Sequence, residues 1–384
     1  MAPKPSVIHV YKDYPPVLGG IEKHIHTLAR HQVHRGWDVT VLVTNPAAFP
    51  HGLQTQITTE EGIRVIRSGR LFTVASTPIS PSQALYQRRL PADVVHLHFP
   101  YPPGEVVNHW FGRGNVTVLT YHSDVVRQRG ILRAYAPLLR RILRGVHAII
   151  ATNPVYPRTS PFLSQVLDLV HIIPLGVDLD PFLQVDPRAA RELRESLGKR
   201  WVHAPLALFV GKLRYYKGVD ILLQALTRVP PLHLWVVGTG PMADAWQRLA
   251  RRLGLTDRVH FWGEVPESRL PLYYRAADFF VLPATSRAEA FGLVQVEAMA
   301  TGLPVISTEV GTGTSFVNLH GQTGWVIPPS DPDALAQALR FFMEHPEERQ
   351  RMGQAARERA LREFRAERMA ERTLALYERL TSNE

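Results

Sequence analysis

No cysteine occurs among the 384 residues. That absence excludes a disulfide framework, a thiolate zinc site, an iron–sulfur cluster and a cysteine nucleophile. It also leaves cysteine usage silent on compartment. Long apolar runs are missing too: no stretch approaches the ~20 residues of a spanning helix. Met1-Ala-Pro-Lys-Pro5 leads into a short strand-like segment instead of a signal peptide. The expectation is a soluble, cytoplasmic protein, or one peripheral on the inner face of the cytoplasmic membrane. Short repeats and low-complexity segments are absent. Lysine is scarce, six residues against 38 arginines, so a lysine in a loop at a strand end carries more information than usual.

Charge of either sign is present but unevenly placed. The formal net charge is +10. Residues 1–175 hold 18 Lys and Arg against 9 Asp and Glu, and residues 176–384 hold 26 against 25. The excess therefore belongs to the first half, where Arg127, Arg129, Arg133, Arg140, Arg141 and Arg144 crowd one stretch. Such a patch can attract nucleic acid, an anionic membrane or a phosphorylated substrate, or be a solvated helix face. No helix-turn-helix, RNP-like aromatic motif or zinc finger accompanies it, so nucleic acid is not the expected partner.

At roughly 100–200 residues per domain the length suggests two domains. In the first half, β-branched runs at Ser6–Tyr11, Asp38–Val43, Val94–His98, Val116–Tyr121 and Ala148–Thr152 read as strands. Helical patterns separate them, among them Ile21 to near Gly36, Glu105–Phe111 and Ile131–Arg144. After Leu175-Gly-Val-Asp178 the alternation restarts, with strands at Leu206–Val210, Leu232–Val237, Val259–Trp262, Phe279–Leu282, Pro304–Ser307 and Gly324–Ile327. Runs apolar on both faces, separated by helices, indicate parallel sheets covered on both sides. The fold class is α/β, two doubly wound Rossmann-like domains facing a central cleft. They are expected at 1–175 and 176–365, with a last helix, 366–384, crossing back to the first.

Four segments carry candidate chemistry. Gly19-Gly20 closes the turn after the first strand, where a backbone without Cβ atoms and a helix start favour an anion. His122 follows the strand Val116–Tyr121, and residues at carboxyl ends of strands in open α/β sheets face the ligand crevice. Gly211-Lys212-Leu-Arg-Tyr-Tyr-Lys217-Gly218 offers two lysines able to neutralise charge on a diphosphate leaving group. Lastly, Glu289 lies in a loop ending at Phe291-Gly292, ahead of a helix that starts at Leu293 and carries Glu297. One carboxylate can hold sugar hydroxyls and the other ribose hydroxyls, while the amides of Phe291, Gly292 and Leu293 meet a phosphate. Two metal-like signals, Asp178-Leu-Asp180 and His96-x-His98, are set aside: the first sits in a linker context, and further ligands for the second are not arranged in a recognisable order.

Together these residues resemble the retaining GT-B glycosyltransferases of family four, and the resemblance spans essentially the whole chain. Gly19-Gly20-Ile-Glu22 is similar to the family's glycine loop, Thr120-Tyr-His122 to its catalytic-histidine segment, and Ile173-Pro-Leu-Gly-Val-Asp178 to its interdomain linker. Gly211–Gly218 resembles the diphosphate loop. Val237-Gly-Thr-Gly-Pro241 and Phe261-Trp-Gly-Glu-Val265 resemble the nucleotide-side turns, with Val265 where members contact the base. Glu289 and Glu297 fall on the E-x7-E signature. One departure is Lys212, where members usually carry Arg; Lys keeps the charge but loses the bidentate fork.

The resemblance implies a metal-independent retaining hexosyltransferase with no cofactor. His122 and Glu289 would be catalytic; Gly19, Gly20, Gly211, Lys212, Lys217, Val265, Phe291, Gly292, Leu293 and Glu297 would bind substrates. Tyr121-His-Ser-Asp-Val-Val-Arg-Gln128, Ser76-Thr-Pro-Ile-Ser80 and Leu213-Arg-Tyr-Tyr-Lys217 resemble stretches of bacterial mannosyltransferases of O-antigen and polysaccharide assembly. That implies GDP-mannose as donor, a lipid-linked saccharide as acceptor and peripheral contact with an anionic membrane through Arg127–Arg144. The alternatives are a UDP-sugar donor (glucose, galactose or N-acetylglucosamine), a sugar-nucleotide 2-epimerase on the same fold, or a nucleic-acid or anionic-surface binding protein acting through the basic N-terminal half.

Overall fold

The computed structural model describes residues 4–17, 19–125 and 129–382. The chain divides into two compact units, one running to Gly176 and resuming at Ala366, the other Val177–Arg365.

The first unit is built on ten strands: β1 (Ser6–Val10), β2 (Asp38–Thr44), β3 (Gln56–Glu60), β4 (Ile63–Ser68), β5 (Phe72–Val74), β6 (Thr77–Ile79), β7 (Ala92–Phe99), β8 (Gly114–Tyr121), β9 (Ala148–Ala151) and β10 (Val170–Ile172). Eight of them form one sheet in the order β10-β9-β8-β7-β1-β2-β4-β3, while β5 and β6 pair separately. The order reverses between β1 and β7, which makes their carboxyl ends the switch point at which ligands bind in such sheets. All neighbours in the sheet are parallel except β3, which runs antiparallel to β4. The sequence predicts the parallel sheet and does not include β3. Glu61 and Gly62 join the two strands, both at positive φ, 51° and 81°, and a two-residue turn of that type returns the chain only antiparallel. The strand is mostly exposed, so its sequence lacks the apolar run that marks its neighbours.

One face of this sheet is covered by the helix Gly20–His34 and by the last helix, Ala366–Ser382. Ile25, Leu28 and Ala29 of the former and Met369, Ala370 and Leu374 of the latter share a core with Val7, Val39 and Val41. Burying such side chains contributes ~1.5–3 kcal/mol each, which accounts for a C-terminal helix held on this unit.

The second unit carries β11 (Leu206–Val210), β12 (His233–Val237), β13 (Val259–Gly263), β14 (Phe279–Leu282), β15 (Val305–Thr308) and β16 (Gly324–Ile327). They form an entirely parallel sheet in the order β13-β12-β11-β14-β15-β16. Its switch point lies between β11 and β14. Among the described residues no helix is long and apolar enough to cross a membrane.

Candidate functional site

In the second unit the loops leaving β11 and β14 touch. Gly218 has φ 69°, and a Cβ there would overlap the carbonyl oxygen of Pro283, so only glycine permits the approach. Thr285 N–H then donates to the Tyr216 carbonyl at 2.8 Å. The contact carries Lys217 inward: its Nζ stands 2.5 Å from Glu289 Oε2, with the two side chains only 10% and 9% exposed. The approach is an ion pair and not an aligned hydrogen bond. A Cβ on Gly211 would lie 3.5 Å from the same Nζ, which places Gly211, Lys217 and Glu289 together. Thr312 Oγ1 donates to the Glu289 carbonyl at 2.6 Å and fixes the loop from behind.

Phe291 is buried against Phe364, and Gly292, at φ 78°, precedes the helix Leu293–Ala300. The first amides of a helix have no partner within it, and its dipole makes this end positive. Glu289 is thus on the loop and Glu297 in the second helical turn, as the sequence predicts. Glu297 is buried and accepts from the Tyr274 hydroxyl at 2.8 Å. Burial, reinforced by that carboxylate, drives the Tyr274 hydroxyl well above its usual range. Lys212, in contrast, is exposed, and Val265 is half-buried in the loop after β13. Tyr274 and Thr312 were not singled out from sequence; neither belongs to a motif, and both act through a single contact.

In the first unit β1, β7 and β8 lie side by side, with His9 in register with His96 and His98 with Thr120. Strand alternation puts His96 and His98 on one face, beneath the two covering helices. His122 continues β8 and donates its backbone N–H to Phe99. Its loop is tied down by Asp124 Oδ1, which accepts from the Tyr121 hydroxyl and from Ser160 Oγ, both at 2.7 Å. Nearby, Gly19 packs so tightly on the Glu22 carboxylate that a Cβ would overlap it, and Gly20 opens the helix.

His122 does not stand alone. His9, His24, His96, His98 and His122 are all buried, with ring centroids 4.4 Å apart for His96 and His98, 5.1 Å for His9 and His96, and 5.4 Å for His98 and His122. Burial lowers every one of them: His9 to about 4, His24 to about 3, and His96, His98 and His122 well below the ordinary range. They are therefore neutral at pH 7. One nitrogen from each of His9, His96 and His98, and one from each of His24, His98 and His122, lie within 4.8 Å of one another. The companions of His96 and His98 come from separate segments, the strand of His9, the helix of His24 and the loop of His122, which is why no ligand order is recognisable in the sequence. Asp180, from the other metal-like signal, pairs with Arg365 at 3.4 Å.

The arginine cluster lies on the helix Arg129–Arg144, where Leu139, Ile142 and Leu143 are buried while Arg133, Arg140, Arg141 and Arg144 are exposed. Arg127, with the rest of the segment Val126–Gln128, falls outside the described residues.

Comparison with known proteins accords with this geometry. Residues 18–181 match the family described as Glycosyltransferase Family 4, and residues 194–359 match Glycosyl transferases group 1. The chain is 38% identical over 366 residues to a D-rhamnosyltransferase, WbpZ, of Pseudomonas aeruginosa, covering 94% of this chain and 92% of that one. It is 35% identical over 375 residues to the O-antigen chain mannosyltransferase C of Escherichia coli, covering 97% of each. Among solved structures it is similar to sucrose-phosphate synthase from Thermosynechococcus elongatus, with a TM-score of 0.83 at 24% identity over 99% of this chain and 100% of that one. The chain belongs to the family-four glycosyltransferases of GT-B fold that take part in polysaccharide synthesis.

Proposed function

We propose that the protein transfers a mannosyl residue from GDP-mannose, with retention and without a metal, to a hydroxyl of a lipid-linked saccharide in O-antigen or polysaccharide assembly. The observation that carries this is the buried Lys217–Glu289 pair at the switch point of the second unit, beside the start of the helix Leu293–Ala300. In this reading the sugar nucleotide binds there. Val265 meets the base through its backbone, Glu297 holds the ribose from the orientation that Tyr274 imposes, and Gly211 admits the diphosphate close to the chain. Lys217, Lys212 and the amides of Phe291, Gly292 and Leu293 stabilise the charge that grows on the departing phosphate. Glu289 is assigned to the sugar in the second unit; in the first unit His122 is assigned to the transferred sugar and Gly19 and Gly20 to the acceptor, whose hydroxyl enters on the face the diphosphate leaves. No paired acid and base carboxylates are required.

The exposed arginines of the helix Arg129–Arg144 share it with exposed Ile131, and that helix packs on the helix Pro102–Phe111, which carries exposed Trp110 and Phe111. An apolar and cationic surface of this kind suits the inner face of a membrane bearing the lipid-linked acceptor; nucleic acid is not an expected partner. The similarity to a D-rhamnosyltransferase favours a second donor reading, since D-rhamnose is mannose without the oxygen at C6. The test is thermal unfolding with GDP-mannose, GDP-D-rhamnose, UDP-glucose, UDP-galactose and UDP-N-acetylglucosamine. A ligand at a hundred times its dissociation constant adds ~2.7 kcal/mol to the folded state, so GDP-mannose is expected to raise the midpoint most. Stabilisation by UDP-sugars alone would overturn the donor assignment.

A further inference from the structure

The His122 imidazole is held by a second, and that one by a third. Gln32, on the helix Gly20–His34, ends the series: its carbonyl oxygen lies 2.7 Å from His9 Nε2, and its amide nitrogen donates to the Tyr377 hydroxyl at 3.5 Å. His9 Nδ1 is 3.0 Å from His98 Nε2, and His98 Nδ1 is 3.1 Å from His122 Nε2. His122 Nδ1 is buried with no hydrogen-bond partner among the described residues. From these links we infer that the file Gln32–His9–His98–His122 locks His122 as its Nε2–H tautomer, leaving Nδ1 as a bare acceptor whose ligand is a hydroxyl.

The protons follow one at a time. A neutral imidazole carries a single N–H, so its two nitrogens take opposite roles. The Gln32 oxygen only accepts, which puts the proton of His9 on Nε2 and the lone pair on Nδ1. His98 must then donate from Nε2 and accept at Nδ1, and His122 must donate from Nε2. A side branch has the same polarity: Tyr377, having accepted from Gln32, donates to His96 Nδ1 at 2.6 Å, and His96 Nε2 donates to Thr120 Oγ1 at 2.6 Å. Reversing the file requires the Gln32 amide to turn over and a proton to move in every ring. A metal at His24, His98 and His122 would need the lone pair of His98 Nδ1, which this arrangement spends on the hydrogen bond from His122 Nε2. The ring nitrogens of His24, edge-on to His122 at 5.0 Å, have no hydrogen-bond partner among the described residues, and His24 restrains the ring by packing.

The inference rests on the reading that His122 meets the transferred sugar, and it refines it. A lone pair aimed at the ligand accepts a hydroxyl proton and has nothing to give to a phosphate or carboxylate oxygen. Gln32, His9 and His98 are positioning residues, each acting through the next.

The deciding measurement is a long-range proton–nitrogen spectrum of the full chain labelled in histidine, near pH 8, with rings assigned from single-histidine variants. Expected are a protonated Nε2 and a bare Nδ1 for His9, His98 and His122. Gln32→Glu would draw a second proton onto His9, whose Nδ1–H then reverses the file and places the proton of His122 on Nδ1. In that variant kcat should fall at least ~10-fold, about the effect of one lost hydrogen bond to a charged or polarised group, with the KM for donor within about twofold. Gln32→Met should show both tautomers of His122 and a smaller loss; a purely structural role would make the two variants alike. If neither variant folds, the wild-type spectrum decides alone. A proton on His122 Nδ1 in the wild type, or a transition metal bound in stoichiometric amount, would overturn the proposal. Undiminished transfer by Lys217→Ala, with the ring spectra unchanged, would instead remove the placement of the donor at the Lys217–Glu289 pair, on which the sugar hydroxyl as the ligand of His122 depends.

Discussion

Lys217 and Glu289 answer for each other's charge in a place that water hardly reaches. Replacing either by alanine is expected to lower transfer at least ~100-fold, the scale of losing one transition-state electrostatic contact. In the sequence the two are separate candidate contacts; in the structure they are one buried pair. Removing one partner leaves the other as an unpaired buried charge, which costs ~3–5 kcal/mol where burial is complete. Thermal unfolding should therefore fall further in Lys217→Met than in the double variant Lys217→Met/Glu289→Gln. Equal midpoints would show that the two charges are not coupled. Lys217 was visible in the sequence because lysine is rare and the loop follows a strand. Its partner was visible as a motif, but nothing local to either residue joins them.

At the scale of elements, the helix Arg129–Arg144 has a buried apolar stripe at Leu139, Ile142 and Leu143 and an arginine face opposite, the division that its periodicity predicts. Arg140 lies over the Phe162 ring at 5.6 Å, so it serves packing as well as charge. Arg133 and Arg144 are the better probes. Reversing both to glutamate should weaken sedimentation with anionic liposomes by ~1 kcal/mol per arginine charge removed. Binding that stays the same would return the cluster to a solvated face. Elements of this kind, with an apolar stripe or a β-branched run, could be read directly. The exposed strand Gln56–Glu60 could not, since its pairing with Ile63–Ser68 depends on a turn and not on its own hydrophobic pattern.

For the molecule as a whole, the five buried imidazoles predict how stability depends on pH. Their values in the folded state lie below the ordinary 6.5, so unfolding takes up protons once the pH is below that value. Their contribution is complete above about pH 6.5 and is lost as the pH falls through the depressed values near 4 and 3. Each ring neutral when folded and charged when unfolded adds up to ~1.4 kcal/mol per pH unit. Unfolding midpoints between pH 7.5 and 4.5 should drop steeply, and less steeply in His24→Phe, which removes one of the rings. A flat profile would mean that the rings are charged inside the fold.

The sequence by itself determined the α/β class, the restart of the alternation after Leu175–Asp178, and the loops at strand ends where Lys217, Glu289 and His122 stand. Those are local properties: periodicity, β-branched runs and glycine turns are written within a few residues of one another. Only the tertiary structure decided that β1 lies beside β7, that His9, Gln32, His98 and His122 form one file, that Tyr274 holds Glu297, and that Lys217 meets Glu289. Sheet order and side-chain pairing are set by which surfaces bury one another across the whole chain. A hydrogen bond of 3 Å between residues far apart in sequence exists only after that burial is settled.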